Sequence, residues 1–140
     1  MSPGFRHGEF RSSARWAEHG GGLAERQAAL VAAHALFVYS SVMSERAPER
    51  IVIDAGLKAF AVDSGMPVPW QMPGALYHRP SDEHGVIDAS ACSVRPRRGD
   101  KVLLVPGHCD PTVNLHDWYV GVRNGKVEVV WPVSARGKAY

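Results

Sequence analysis

The dipeptide Asn124-Gly125 constrains this chain more than any other feature. Tyr119-Val120-Gly121-Val122-Arg123 precedes it and Lys126-Val127-Glu128-Val129-Val130 follows. Asn-Gly supplies the two positive φ angles that a two-residue type I′ turn requires, so the flanking runs are predicted to pair as an antiparallel hairpin. A two-residue loop fixes the register. Arg123 is expected opposite Lys126, Val122 opposite Val127, Val120 opposite Val129, and Trp118 opposite Trp131. Alternation then puts Val120, Val122, Val127, Val129 and both tryptophans on a buried face. Gly121, Arg123, Lys126 and Glu128 fall on a wet one.

Other short runs punctuated by turn residues carry the same signature. Leu36 to Val42 is rich in aromatic and β-branched residues. Arg50 to Asp54 is a short apolar strand closed by Ala55-Gly56, and Lys58 to Asp63 alternates enough to be another. Gly65 to Gly74 carries three prolines and is predicted to be a loop. Tyr77-His78-Arg79, Gly85 to Asp88 and Asp100 to Val105 complete the set. Six or more such strands predict a mainly β chain, an antiparallel sandwich or barrel-like domain, with a short N-terminal helix. That helix is expected over the Ala-rich Leu23 to Ala33. Residues 1–22 are rich in Gly, Arg and Ser and are expected to be disordered. The chain thus divides into an extension, residues 1–33, and a β domain, residues 34–140.

Charge and cysteine content narrow the function. A net charge of +2 is too small to argue for a nucleic-acid partner, and Arg95-Pro96-Arg97-Arg98 reads as a solvated loop. Cys92 and Cys109 do not make a disulfide framework, and there is no Cys-x-x-Cys pair. No run approaches the ~18 apolar residues of a membrane helix, and no signal-peptide pattern opens the chain. A soluble cytoplasmic protein is expected, without a membrane partner.

Chemistry concentrates in Pro106 to Asp117, which holds His108, Cys109, Asp110, His116 and Asp117 directly after the apolar run Val102 to Val105. In an extended segment His108 and Asp110 would share one face and Cys109 the other. Imidazole nitrogen and carboxylate oxygen suit Zn²⁺, Mn²⁺ or a related ion, with positions left open for water or substrate. The same residues also fit a strand-end loop in which Asp110 makes an Asx-turn before Pro111. Cys109 is expected to be a small buried thiol, and His116 and Asp117 to lie on the surface. Ser81-Asp82-Glu83-His84-Gly85 is either a solvated turn or a place to position a substrate. Asp54 and Asp63, each at a strand end, either hold metal ligands from behind or are turn residues.

Five motifs occur in order: Ile51 to Lys58, Asp82-Glu83-His84-Gly85, Gly99-Asp100-Lys101-Val102, Pro106 to Asn114, and Trp131 to Gly137. In this order they resemble the C-terminal domain of the D-threonine aldolase and D-serine dehydratase family, over roughly Ala35 to Gly137. The resemblance implies a pyridoxal-phosphate enzyme with an N-terminal (β/α)8 barrel that carries the cofactor lysine, and a β domain that supplies a His-x-Asp or His-x-Cys metal pair. His108 and Asp110 match the ligand positions, and Asp110 places the chain nearer the aldolase branch. The implied reaction is retro-aldol cleavage of a D-3-hydroxy amino acid to glycine and an aldehyde. Mn²⁺ or Zn²⁺ would bind the substrate hydroxyl or a water beside it, and the cofactor would act as electron sink. Asp54, Glu83, His84 and Cys109 are the further candidates for substrate contact or support.

The chain departs from that family in one large respect. A barrel of ~200 or more residues does not fit before Ala35. The four lysines, Lys58, Lys101, Lys126 and Lys138, lie in the β domain and none matches the cofactor lysine. The expectation is a fragment inactive alone, which takes its pyridoxal phosphate only through a barrel missing or supplied in trans. A homodimer, a dehydratase-like ammonia-lyase fragment, and a non-catalytic metal-binding β module remain open.

Overall fold

In the computed structural model, residues 34–138 are described. The strands are β1 (Val38–Ala47), β2 (Arg50–Ile53), β3 (Val68–Pro69), β4 (Leu76–His78), β5 (Gly85–Asp88), β6 (Lys101–Val105), β7 (Trp118–Arg123) and β8 (Lys126–Pro132). One short helix, α1 (Cys109–Val113), lies between β6 and β7. The helix expected over Leu23 to Ala33 falls outside the described residues.

Six strands form one antiparallel sheet in the order β3-β6-β1-β2-β5-β4. The edge strands β3 and β4 approach each other, so the sheet curls into a nearly closed barrel. β1 sits between β2 and β6, and its register against β2 shifts between Val42 and Ser44 and again between Glu45 and Ala47. Such irregularities raise local twist, which a sheet needs in order to curl. Apolar residues alternate inward: Val42 from β1, Ile51 and Ile53 from β2, Tyr77 from β4, Ile87 from β5, and Val102 and Leu104 from β6. Phe60 completes this core, edge-on to Tyr77 with ring centroids 5.9 Å apart. Among the described residues no helix is long and apolar enough to cross a membrane.

Three local expectations are corrected. Lys58 to Asp63 is not a strand. The Ala59 and Phe60 N–H groups both donate to the Gly56 carbonyl, which coils the segment so that Phe60 enters the core. The loop from Gly65 to Gly74 contributes a two-residue strand, β3, where Val68 pairs with Val105.

The third correction concerns the hairpin. Arg123 faces Lys126 and Val122 faces Val127 as expected, but β8 then carries one extra residue, Glu128. Past this bulge Gly121 faces Val129, Val120 faces Val130, Tyr119 faces Trp131 and Trp118 faces Pro132. A one-residue slip moves every later side chain to the other face. The two tryptophans therefore lie on opposite faces, with Trp131 over Gly121, where an added Cβ would come within 2.9 Å of its ring. β7 and β8 hydrogen-bond only with each other among the described strands. Neither face is buried: Trp118, Val120, Val122, Val127, Val129, Val130 and Trp131 are all exposed.

Candidate metal centre

β6 ends at Val105, and Pro106-Gly107 leads to His108, which has extended backbone (φ −143°, ψ 121°) and caps α1. The chain turns helical at Cys109 rather than continuing extended. Pro111 suits this, because a proline in the first helical turn has no hydrogen bond to lose. Asp110 lies in the same turn, where a carboxylate complements the unpaired N–H groups. The expected alternation of 108 and 110 on one strand face is thus replaced by a cap and a first-turn position. Cys109 is exposed, not buried; the buried thiol is Cys92.

His108 is held by a segment 45 residues upstream. Its Nδ1 lies 2.7 Å from Asp63 Oδ2 and 3.2 Å from Ser64 Oγ, while the Ser64 hydroxyl donates to the same Asp63 oxygen at 2.9 Å. The hydrogen bond from His108, followed by that from Ser64, holds the Asp63 carboxyl below its ordinary value. The turn that carries Asp63 is tied to α1: buried Thr112 accepts the Ala61 N–H through its hydroxyl, and His116 Nε2 is 3.0 Å from the Ala59 carbonyl oxygen. His116, expected at the surface, is therefore half-buried and bonded.

The other end of the same segment meets the Ser81–Gly85 turn. Leu57 and Lys58 N–H groups donate to the carbonyls of Ser81 and Asp82. Gly56 makes this approach feasible, since a Cβ there would stand 2.2 Å from the Ser81 carbonyl oxygen. Glu83 pairs with Lys58, and that hydrogen bond lowers the Glu83 carboxyl from its usual range. His84 closes the turn through its backbone with Ser81. Asp54 is occupied elsewhere, accepting from Ser40 Oγ and Ser41 N–H, each at 2.7 Å. Burial pushes its carboxyl up, but the hydrogen bonds from Ser41 and Ser40 and the Lys101 charge prevail and lower it.

Beside α1, an open cavity of about 220 Å³ is bordered by Asp110, Asn114, Tyr119, Val133 and Arg136. Arg136 pairs with Asp117 and donates from Nε to the Asn114 carbonyl at 3.3 Å. These bonds clamp the chain after β8 onto the end of α1.

Among the described residues, no group of three or more His, Cys, Asp or Glu side chains is placed to hold a metal ion. A metal here would have His108 and Asp110 as a two-donor set and take its remaining positions from water, substrate or other protein groups. The donor chemistry fits this role: His108 is only partly buried and offers an imidazole nitrogen besides the Nδ1 that contacts Asp63, and Asp110 is an exposed carboxylate beside an open cavity. Ser64, Thr112 and His116 were not evident as partners from the sequence. Their links to His108, Ala61 and Ala59 span 44, 51 and 57 residues, and no local pattern signals such pairs.

A family model described as "Putative serine dehydratase domain" matches residues 35–122. The 3-hydroxy-D-aspartate aldolase of Paracoccus denitrificans is 58% identical over 107 residues, which cover 76% of this chain and 27% of that protein. The crystal structure of D-threonine aldolase from Filomicrobium marinum superposes with a TM-score of 0.73 at 50% identity, over 76% of this chain and 30% of that one. D-threo-3-hydroxyaspartate dehydratase from Delftia sp. HT23 shares the fold, with a TM-score of 0.56 at 22% identity over 70% and 31% of the two chains. The chain spans little more than a quarter of the aldolase of Paracoccus denitrificans.

Proposed function

This chain belongs to the serine dehydratase domain family, and from that premise we propose that it is the metal-bearing β domain of an aldolase acting on D-3-hydroxy amino acids. The observation that carries the reading is the level of identity. It is more than twice as high to the 3-hydroxy-D-aspartate and D-threonine aldolases as to the dehydratase of the same fold. The reaction would cleave the Cα–Cβ bond of the substrate, giving glycine and an aldehyde.

A divalent ion, Mn²⁺ or Zn²⁺, would be held by His108 and Asp110 and would supply Lewis-acid chemistry at the substrate hydroxyl or a water beside it, while pyridoxal phosphate carried by a barrel domain would supply the electron sink. This chain's own part is to present His108 and Asp110 as ligands and to hold His108 through Asp63. The cavity beside Asp110 gives the substrate's β-substituent a place next to the ion, with Arg136 and Asn114 on its border. Glu83 and His84 sit on a turn braced against Lys58 and make none of the hydrogen bonds that hold His108. On this reading turnover requires a barrel that supplies the cofactor lysine.

The test is reconstitution. The chain is co-expressed with, or fused to, the barrel of a D-threonine aldolase and supplied with Mn²⁺. Aldehyde release from D-threonine, or glyoxylate release from 3-hydroxy-D-aspartate, is expected. It should be lost in His108→Ala and Asp110→Ala. Release of ammonia and a keto acid instead would favour the dehydratase reading, and no turnover in any reconstituted form, fusion included, would reject the assignment.

A further inference from the structure

We propose that Asp63 is a positioning residue that sets the tautomer and ring orientation of His108, so that Nε2 is presented as the metal donor. The proposal rests on the metal-ligand reading of His108. It concerns a contact within this chain, and its consequences are separable from turnover.

The argument is one of proton inventory. A carboxylate has no hydrogen to give, so the 2.7 Å contact between Asp63 Oδ2 and His108 Nδ1 requires the proton on Nδ1. Nε2 then carries the lone pair of the neutral ring. A metal-bound imidazole needs this arrangement, in which one nitrogen donates to an oxygen and the other ligates. Ser64 completes the fixture. Its hydroxyl hydrogen goes to the same Asp63 oxygen, which leaves its own oxygen lone pairs facing Nδ1 at 3.2 Å. The ring is thus aimed by two neighbours on one rigid turn, and the Ala61–Thr112 hydrogen bond fixes that turn against α1.

Solvent exposure decides between a structural and an orienting role. The His108 and Asp63 side chains are 42% and 54% exposed, and ion pairs this wet contribute little to stability. Asp63 therefore does little for folding, and its effect should appear in the ring it orients.

The test uses the full 140-residue chain and two readouts. Nitrogen-15 NMR of the histidine rings at about pH 8, above the usual imidazole value of ~6.5, reports the tautomer of His108, assigned by loss of its signals in His108→Ala. Calorimetric titration with Mn²⁺ alone reports affinity. The Nδ1–H tautomer is expected in the parent chain. In Asp63→Ala the tautomers should mix and Mn²⁺ affinity should fall by about 10- to 100-fold, with the thermal midpoint nearly unchanged. Asp63→Asn keeps an acceptor and should retain the Nδ1–H tautomer. An unchanged tautomer in Asp63→Ala, or unchanged Mn²⁺ affinity there, would overturn the proposal. If the tautomer shifts as expected but the parent chain binds no Mn²⁺, the orienting role of Asp63 stands and the metal-ligand reading of His108 is what fails.

Discussion

Thr112 accepts the Ala61 backbone N–H at 3.1 Å through a hydroxyl on a side chain only 1% exposed. This one bond fastens the turn that carries Asp63 to the helix that follows His108. Thr112→Val keeps the shape and removes the acceptor, leaving a partly buried N–H unpaired. A loss of about 1–3 kcal/mol is expected, read as a lower midpoint in urea. Thr112→Ser keeps the hydroxyl and should lose less; a loss in Thr112→Ser with none in Thr112→Val would show that the methyl packing, not the bond, matters.

Tyr77 is the buried phenol of the core. Its hydroxyl donates to the Ala55 carbonyl at 2.8 Å, and Gly85 leaves room for its ring, since a Cβ there would stand 2.3 Å from a ring carbon. Burial pushes the phenol from 10.0 up to about 12. A raised folded value means that the stability this neutral group contributes is complete below about pH 10 and is lost as pH climbs toward about 12. Alkaline unfolding in that window should move to higher pH in Tyr77→Phe, which itself costs about 1–3 kcal/mol at neutral pH. Phenolate absorbance followed against circular dichroism checks both.

Asp54 gives the acid counterpart. Its folded value lies below the ordinary 3.8, so its contribution is present above that value and disappears as pH falls through the lower folded one. Asp54→Asn should be less stable than the parent chain at pH 7, by about 1 kcal/mol for a hydrogen-bonded group at the surface. The difference should close as the pH drops below 3.8. Parallel stability curves for the two proteins across that range would contradict the assignment.

Val122 and Val130 share one exposed face of the β7–β8 hairpin. Contiguous exposed apolar surface favours association. Replacing both with Lys should shift sedimentation of the chain toward monomer and raise its solubility. Core stability should move by no more than about 0.5 kcal/mol, as for surface substitutions in general. A parent chain already monomeric at high concentration would rule this out.

Sequence reasoning located β2, β4, β5, β6 and the final hairpin, because each is an apolar run bounded by turn residues. It failed where a distant contact overrode the local pattern. Lys58 to Asp63 alternates like a strand, yet Phe60 is drawn into the core by a coil that depends on the close fit of Gly56 under Ser81. The bulge at Glu128 has no marker in Val127-Glu128-Val129, and it alone turned one apolar face into two. At the site, the donor types His108 and Asp110 were visible as neighbours. Asp63 was seen only as a carboxylate at a presumed strand end, because its meeting with His108 depends on how two loops 45 residues apart fold back.

The central position of β1 also sets the order in which the barrel can assemble. Its pairing with β2 is a local hairpin, and β4–β5 is another, whereas Ser41 reaches Lys101 only across 60 residues. Closing so long a loop costs entropy before any bond rewards it. The β1–β2 ribbon should therefore be early and common in the folding ensemble, and the β6 strand should dock late. His108 follows closely on β6, so its alignment with Asp63 should wait on that docking.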